Sequence, residues 1–223
     1  MKLELGPRIK ILLLAAVVFS ACTPKSKEGP YRVQIPWPDS AGNYSVQKVE
    51  VPTLTNPSTM QGGAASLRVQ RSPRGPLPKA DFIVDSDGTL IPSDFTTLQM
   101  AVVYAHMERL QSMETQLGFA DLLPRPRSVT VEFPMQDEKG RNVSDNAFYY
   151  PSWDSLVLLP FSGRDIPISF NAGILAHELG HVQHRDGMRR LIQTGGTSAG
   201  HGSVTVSPTG AVKGAGTLFD GTK

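Results

Sequence analysis

The sequence predicts an α+β fold in which one long helix is followed by a short sheet and then by a second long helix. Two stretches with apolar residues at helical spacing, residues 93–118 and 169–194, predict the helices. Between them, the short apolar segments at residues 128–133 and 156–161 predict strands. The folded domain is therefore expected over residues 80–196.

Residues 1–21 have the features of a secretory signal peptide. Basic residues precede an apolar run at residues 11–19, which is too short to span a bilayer. Ser20 and Ala21 then provide small side chains at a cleavage point, and Cys22, the only cysteine, follows directly. This arrangement resembles the bacterial lipobox, which implies lipidation of Cys22. The alternative is an ordinary signal peptide or anchor helix followed by a chance cysteine.

A lipid on Cys22 would make the membrane of the bacterial envelope one partner of the protein. Thr23 follows the cysteine, where an aspartate commonly signals retention at the inner membrane. The resemblance therefore favours the outer membrane, with the protein facing the periplasm or the exterior. A single cysteine leaves no internal disulfide.

Residues 22–79 are expected to form a tether, since they contain nine prolines. Proline fixes its own φ and lacks a backbone N–H, which opposes long helices and central strands. Residues 44–51 are the best candidate for a short extended piece. Residues 197–223 form a Gly-rich tail with one candidate strand at residues 203–207. This tail is expected to be mainly loop and to be either a true terminus or a truncated one.

The first helix is expected to begin after Ser93 or Asp94, either of which can act as its N-cap. Its apolar residues are expected to form one stripe that packs on the core: Phe95, Leu98, Val102, Ala105, Leu110, Met113 and Leu117. His106 lies within this helix and is expected to be a surface or core residue rather than a ligand.

The second helix contains His177, Glu178 and His181 in the pattern H-E-x-x-H. Helical residues four apart face the same side, so His177 and His181 can place both imidazoles on one metal ion. Glu178 projects beside them, where its carboxylate can take a proton from a metal-bound water. The pattern predicts a zinc site with Glu178 as the catalytic base.

Residues 173–186, GILAHELGHVQHRD, resemble the active-site helix of gluzincin metallopeptidases. They are most similar to the family that contains the membrane CAAX prenyl protease and its soluble periplasmic relatives. The resemblance implies a zincin-like fold, zinc bound by His177 and His181, and Glu178 as the general base. It further implies that residues 155–161 are the edge strand that pairs with an extended peptide substrate.

The sequence does not identify the third zinc ligand. Gluzincins take it from a glutamate on a later helix, and no glutamate follows Glu178. The metzincin pattern also fails, because His184 stands at its glycine position. On a straight helix His184 lies about 10 Å along the axis from His177, so it is not expected to bind the same ion. The alternatives are His201, Asp220 or no third ligand.

The formal net charge of +2, without a long basic face, gives no reason to expect a nucleic-acid partner. The expected function is that of a membrane-tethered, zinc-dependent peptidase that hydrolyses protein or peptide substrates. The alternative is an envelope lipoprotein that binds or scaffolds other molecules and whose zinc site is vestigial or incomplete.

Overall fold

The computed structural model describes residues 30–69, 77–119, 125–194, 204–206 and 212–214. The strands are β1 (Tyr31–Pro38), β2 (Tyr44–Val51), β3 (Leu54–Asn56), β4 (Gln61–Gly62), β5 (Ala65–Val69), β6 (Phe82–Val84), β7 (Leu90–Pro92), β8 (Arg127–Val131), β9 (Met135–Gln136), β10 (Asn142–Val143), β11 (Ala147–Tyr150), β12 (Ser155–Leu158), β13 (Val204–Val206) and β14 (Val212–Gly214). The helices are α1 (Phe95–Gln116) and α2 (Ala172–Thr194), with a 3-10 turn at Ile168–Phe170. The predicted α+β class is confirmed, as are the two long helices.

A six-stranded sheet in the order β11-β12-β8-β5-β4-β3 forms the larger layer. Strands β5, β8 and β12 are parallel, and β11 runs antiparallel to β12 at one edge. The prediction that residues 155–161 form the edge strand is wrong, because β12 pairs with β8 on one side and β11 on the other. All four residues of β12 are buried, which is typical of an interior strand.

A second sheet of four strands, β2-β1-β7-β6, lies on the other side of α1. Strands β1 and β2 form an antiparallel hairpin, and β1 pairs in parallel with β7 around Val33. Two short antiparallel pairs complete the described strands, β9 with β10 and β13 with β14. Strand β13 confirms the candidate strand in the tail.

Helix α1 packs against both larger sheets, since it contacts β1, β2 and β7 of one and β5 of the other. Its middle turns, residues 100–107, are therefore buried on every side. The prediction of a single apolar stripe is wrong at the helix ends, where Phe95, Met113 and Leu117 are exposed. Asp94 is the N-cap as expected, and its Oδ1 accepts a hydrogen bond from the backbone N of Thr97 at 2.8 Å.

The prediction of a tether over residues 22–79 is wrong for residues 31–69, which form β1 to β5. Pro52 and Pro57 lie in turns, where a missing N–H costs no ladder hydrogen bond, so they do not interrupt the strands. The candidate strand at residues 44–51 is confirmed as β2. This segment supplies eight buried residues to the core: Val33, Ile35, Val51, Leu54, Met60, Ala64, Ala65 and Leu67.

Within the described part of the chain, no helix is both long enough and apolar enough to cross a membrane.

Candidate metal centre and cleft

The start of α2 is held by its own cap residue and by contacts from two other elements. Asn171 caps the helix, because its Oδ1 accepts hydrogen bonds from the backbone N atoms of Gly173 and Ile174 at 3.0 and 3.3 Å. One residue earlier, the carbonyl oxygen of Phe170 accepts from the hydroxyl of Tyr44 at 2.7 Å. Nε2 of His106 lies 3.1 Å from the same oxygen. The motif helix therefore begins at a position set by β2 and α1.

His106 is a core residue, as one of the two expectations had it. It is fully buried, and its ring stacks on Trp37 with the centroids 4.4 Å apart. Burial lowers the pKa of His106 to about 4, although the hydrogen bond to Phe170 opposes the shift. The ring is therefore neutral at neutral pH, and its Nε2 donates to the Phe170 carbonyl.

The rotation of α2 is set by its apolar face. Leu175, Leu179 and Val182 are buried against the core at intervals of four and three residues. His177 and His181 lie on another side of the helix and are exposed. The helical period therefore places both imidazoles at the surface of the domain.

The two imidazoles converge on one point. Nε2 of His177 and Nε2 of His181 lie 3.2 Å apart. Two nitrogen ligands of a tetrahedral zinc ion, each about 2.0–2.1 Å from the metal, lie about 3.3 Å from one another. The observed separation thus fits two ligands of a single ion.

Glu178 lies between the two histidines and strand β11. Its side chain is buried, and its Oε2 accepts a hydrogen bond from the backbone N of Tyr149 at 2.8 Å. The potential ligand atoms of His177, Glu178 and His181 all lie within 4.8 Å of one another. The structure therefore brings all three motif residues together.

A third protein ligand is not found among the residues that the structure describes. No further histidine, cysteine, aspartate or glutamate of this part joins the three-residue group. His184 is exposed on α2 outside the group. His201, Asp220 and Cys22 lie outside the described residues.

A cleft of about 490 Å³ opens beside the motif. Volumes between about 300 and 1,000 Å³ are usual for ligand sites. One wall belongs to α2 and the other to β11 with the turn that follows it, and the described lining residues are Glu178, His181, Arg185, Phe148, Tyr149 and Pro151.

A polar network links the two walls of this cleft. Nη1 of Arg185 donates to the hydroxyl of Tyr149 and, at 2.8 Å, to the carbonyl oxygen of Pro151. The Tyr149 hydroxyl donates to Oδ1 of Asp154 at 2.7 Å, and Nη2 of Arg127 donates to the same oxygen at 2.8 Å. Helix α2 and the β11 hairpin are thus held together at the rim of the cleft.

The network also shifts the acidities of its members. Burial raises the pKa of Tyr149, and its bond to Asp154 raises it further. Burial acts to raise the pKa of Asp154 too, but the bonds from Tyr149 and Arg127 prevail and lower it. Asp154 is therefore a carboxylate and Tyr149 a neutral phenol at neutral pH.

Sequence reasoning missed Tyr149 and Arg185 as residues of the cleft. The sequence did contain a signal for Arg185, because this residue follows His181 by four positions and so shares its helix face. The sequence contained no such signal for Tyr149. Its position depends on the pairing of β11 with β12 and on the packing of that hairpin against α2.

Comparison with protein-family models, with curated proteins and with solved structures finds no match to this chain.

Proposed function

We propose that this chain is a zinc-dependent peptidase of the zincin type, tethered to the outer membrane of a bacterium through a lipid on Cys22. The observation that carries the proposal is the convergence of the His177 and His181 Nε2 atoms, 3.2 Å apart, beside the carboxylate of Glu178. Imidazole nitrogens and a nearby carboxylate are typical of catalytic zinc sites.

Zinc, when bound by the two histidines, supplies a Lewis acid that polarises the peptide carbonyl and acidifies water. Glu178 performs the proton transfers. Its Oε2 is engaged by Tyr149, whereas its Oε1 makes no hydrogen bond within the described part of the chain. Oε1 is therefore free to accept a proton from the attacking water and to pass it to the leaving amine.

The geometry of the edge strand β11 supports a peptide as the substrate. The N–H of Tyr149 points away from β12, because it donates to Glu178. In an antiparallel pair the carbonyl of such a residue points away as well, so the Tyr149 carbonyl faces the open edge. At this edge the Tyr149 carbonyl can accept a main-chain hydrogen bond from an extended peptide, while the Tyr149 N–H stays bound to Glu178.

One observation favours a second function, that of an envelope lipoprotein with a binding or scaffold role. The described residues supply two histidines and one glutamate to the centre and no further ligand. Two histidines hold zinc weakly, so this set of ligands also fits a zinc site that is vestigial or incomplete.

The zinc content of the purified protein and its hydrolysis of casein test the proposal. We expect one zinc per chain, lost in His181→Ala together with hydrolysis. His184→Ala is the matched control, because it removes an exposed histidine of the same helix outside the three-residue group. Equal zinc in the parent and in His181→Ala would contradict the metal site. Stoichiometric zinc without hydrolysis of any peptide would favour the second function.

A further inference from the structure

The two faces of β11 have different environments. Ala147 and Tyr149 pair with Leu158 and Leu156, and all four contribute to the core or pack against it. Successive residues of a strand point to opposite faces, so Phe148 and Tyr150 point to the other side of the sheet. There they line a second cavity.

This second cavity has a volume of about 250 Å³, and every described residue that lines it is aromatic or methionine: Phe133, Met135, Phe148, Tyr150 and Trp153. The Trp153 ring contacts two of the others, with its centroid 5.5 Å from that of Phe133 and 4.5 Å from that of Tyr150. No ionisable carboxylate, amine, guanidinium or imidazole belongs to this described lining. The cavity therefore favours an uncharged, apolar occupant.

The size of the cavity limits what it can hold. At about 250 Å³ it is smaller than the usual range for free ligands and cofactors, which begins at about 300 Å³. Two of its residues, Met135 and Tyr150, are large apolar side chains that remain exposed. These features suit one large side chain that enters from a longer molecule.

The cavity is continuous with the candidate active site through one residue. Phe148 lines both the 250 Å³ cavity and the 490 Å³ cleft that contains Glu178 and His181. In a peptide added to β11, successive side chains point alternately towards α2 and towards the aromatic face. A peptide in the cleft thus directs every second side chain to the side on which the cavity lies.

We propose that the cavity formed by Phe133, Met135, Phe148, Tyr150 and Trp153 is a substrate subsite for one large apolar side chain, such as Phe, Trp, Leu or Met. The proposal rests on the proposed function, since it takes the occupant to be part of a peptide paired with β11. Such a subsite would make the enzyme selective for peptides with a bulky apolar residue at one position. The neighbouring residue of the peptide would direct its side chain towards α2.

The test measures binding and cleavage separately. A positional set of fluorescein-labelled peptides, each with Phe or Ala at one position, is titrated with Glu178→Gln by fluorescence polarisation. The same peptides are cleaved with the parent protein and analysed by mass spectrometry. At one position we expect Phe to improve binding by about tenfold or more, the scale for burial of such a side chain.

Two variants in the Glu178→Gln background locate the effect. Trp153→Ala should abolish the preference for Phe, and Met135→Ala should reduce it several-fold; Met135 is exposed, so its loss spares the fold. Met188→Ala, which truncates an exposed methionine of α2, is the matched control and should keep the full preference.

The outcomes separate the inference from the proposed function. Equal binding of Phe and Ala peptides at all positions overturns the subsite, as does a preference that survives Trp153→Ala and Met135→Ala. Cleavage of both peptide series at one rate also overturns the subsite and leaves the peptidase standing. If binding prefers Phe in a way that depends on Trp153 but the parent protein cleaves no peptide, the subsite is supported and the peptidase function is contradicted.

Discussion

The backbone N–H of Tyr149 donates to Oε2 of Glu178 over 2.8 Å, so the edge strand and the motif helix meet at the residue that the H-E-x-x-H pattern marks as the base. This bond holds Oε2 and leaves Oε1 without a hydrogen bond among the described residues. The position of β11 and the orientation of Glu178 are therefore coupled. The bridge from Arg185 to the Tyr149 hydroxyl and the Pro151 carbonyl ties the same end of β11 to α2 a second time.

The replacement Glu178→Gln should reduce hydrolysis by orders of magnitude and leave zinc in place. Glutamine keeps an acceptor oxygen for the Tyr149 N–H but cannot take a proton, so kcat/KM for a fluorogenic peptide should fall by about 10² to 10⁴-fold. Zinc content measured on the same sample is the control. Unchanged hydrolysis would show that Glu178 is not the base.

His106 should make the free energy of unfolding depend on pH. Its pKa is about 4 in the folded protein and about 6.5 when unfolded, so between these values the unfolded chain binds more protons. The free energy of unfolding therefore has its full value above about pH 6.5 and falls as the pH drops towards 4. At about 1.4 kcal/mol per pKa unit, the loss reaches about 3 kcal/mol.

Urea unfolding at pH 4 to 7 measures this loss. The variant His106→Gln retains a donor for the Phe170 carbonyl and does not titrate, so its stability should change less over this range. His184→Gln, which replaces an exposed histidine, should behave as the parent does. Parallel pH profiles for the parent and His106→Gln would refute the prediction.

The replacement Gly62→Ala should destabilise the fold by about 3 kcal/mol or more. A Cβ at this position would lie 2.1 Å from both the Thr53 carbonyl oxygen and the Tyr104 hydroxyl, where β4 approaches α1 closely. Gly187→Ala is the control, because a Cβ there meets open space on a helix and should stabilise by up to about 1 kcal/mol. Similar midpoints of urea unfolding for Gly62→Ala and the parent would mean that residues 52–69 do not pack as described.

Cys22 should carry the lipid that tethers the protein, although it lies outside the described residues. In a bacterial host, Cys22→Ser should move the protein from the membrane fraction to the soluble or the unprocessed fraction. Mass spectrometry of the parent should show the added acyl mass on its first mature residue. Unchanged mass and unchanged membrane association in the variant would exclude lipidation.

The sequence by itself determined the features that depend on local geometry. The separation of four residues between His177 and His181 is about one helical turn, so a helix over this segment places both side chains on the same face. Asp94 caps α1 through a bond to Thr97, three residues away. The period of a helix and the chemistry of a cap are properties of neighbouring residues, and these predictions are confirmed.

Only the tertiary structure decided which strand lies at the edge and what faces Glu178. Strand β11 borders the cleft because it pairs with β12, and β12 is interior because it also pairs with β8, whose residues lie about 27 positions earlier in the chain. The prolines of residues 31–69 suggested a tether. In the structure, however, β1, β2 and β5 of this segment pack against α1 and bury it. Pairing and burial between distant segments depend on the whole chain, whereas propensity and periodicity report on neighbouring residues alone.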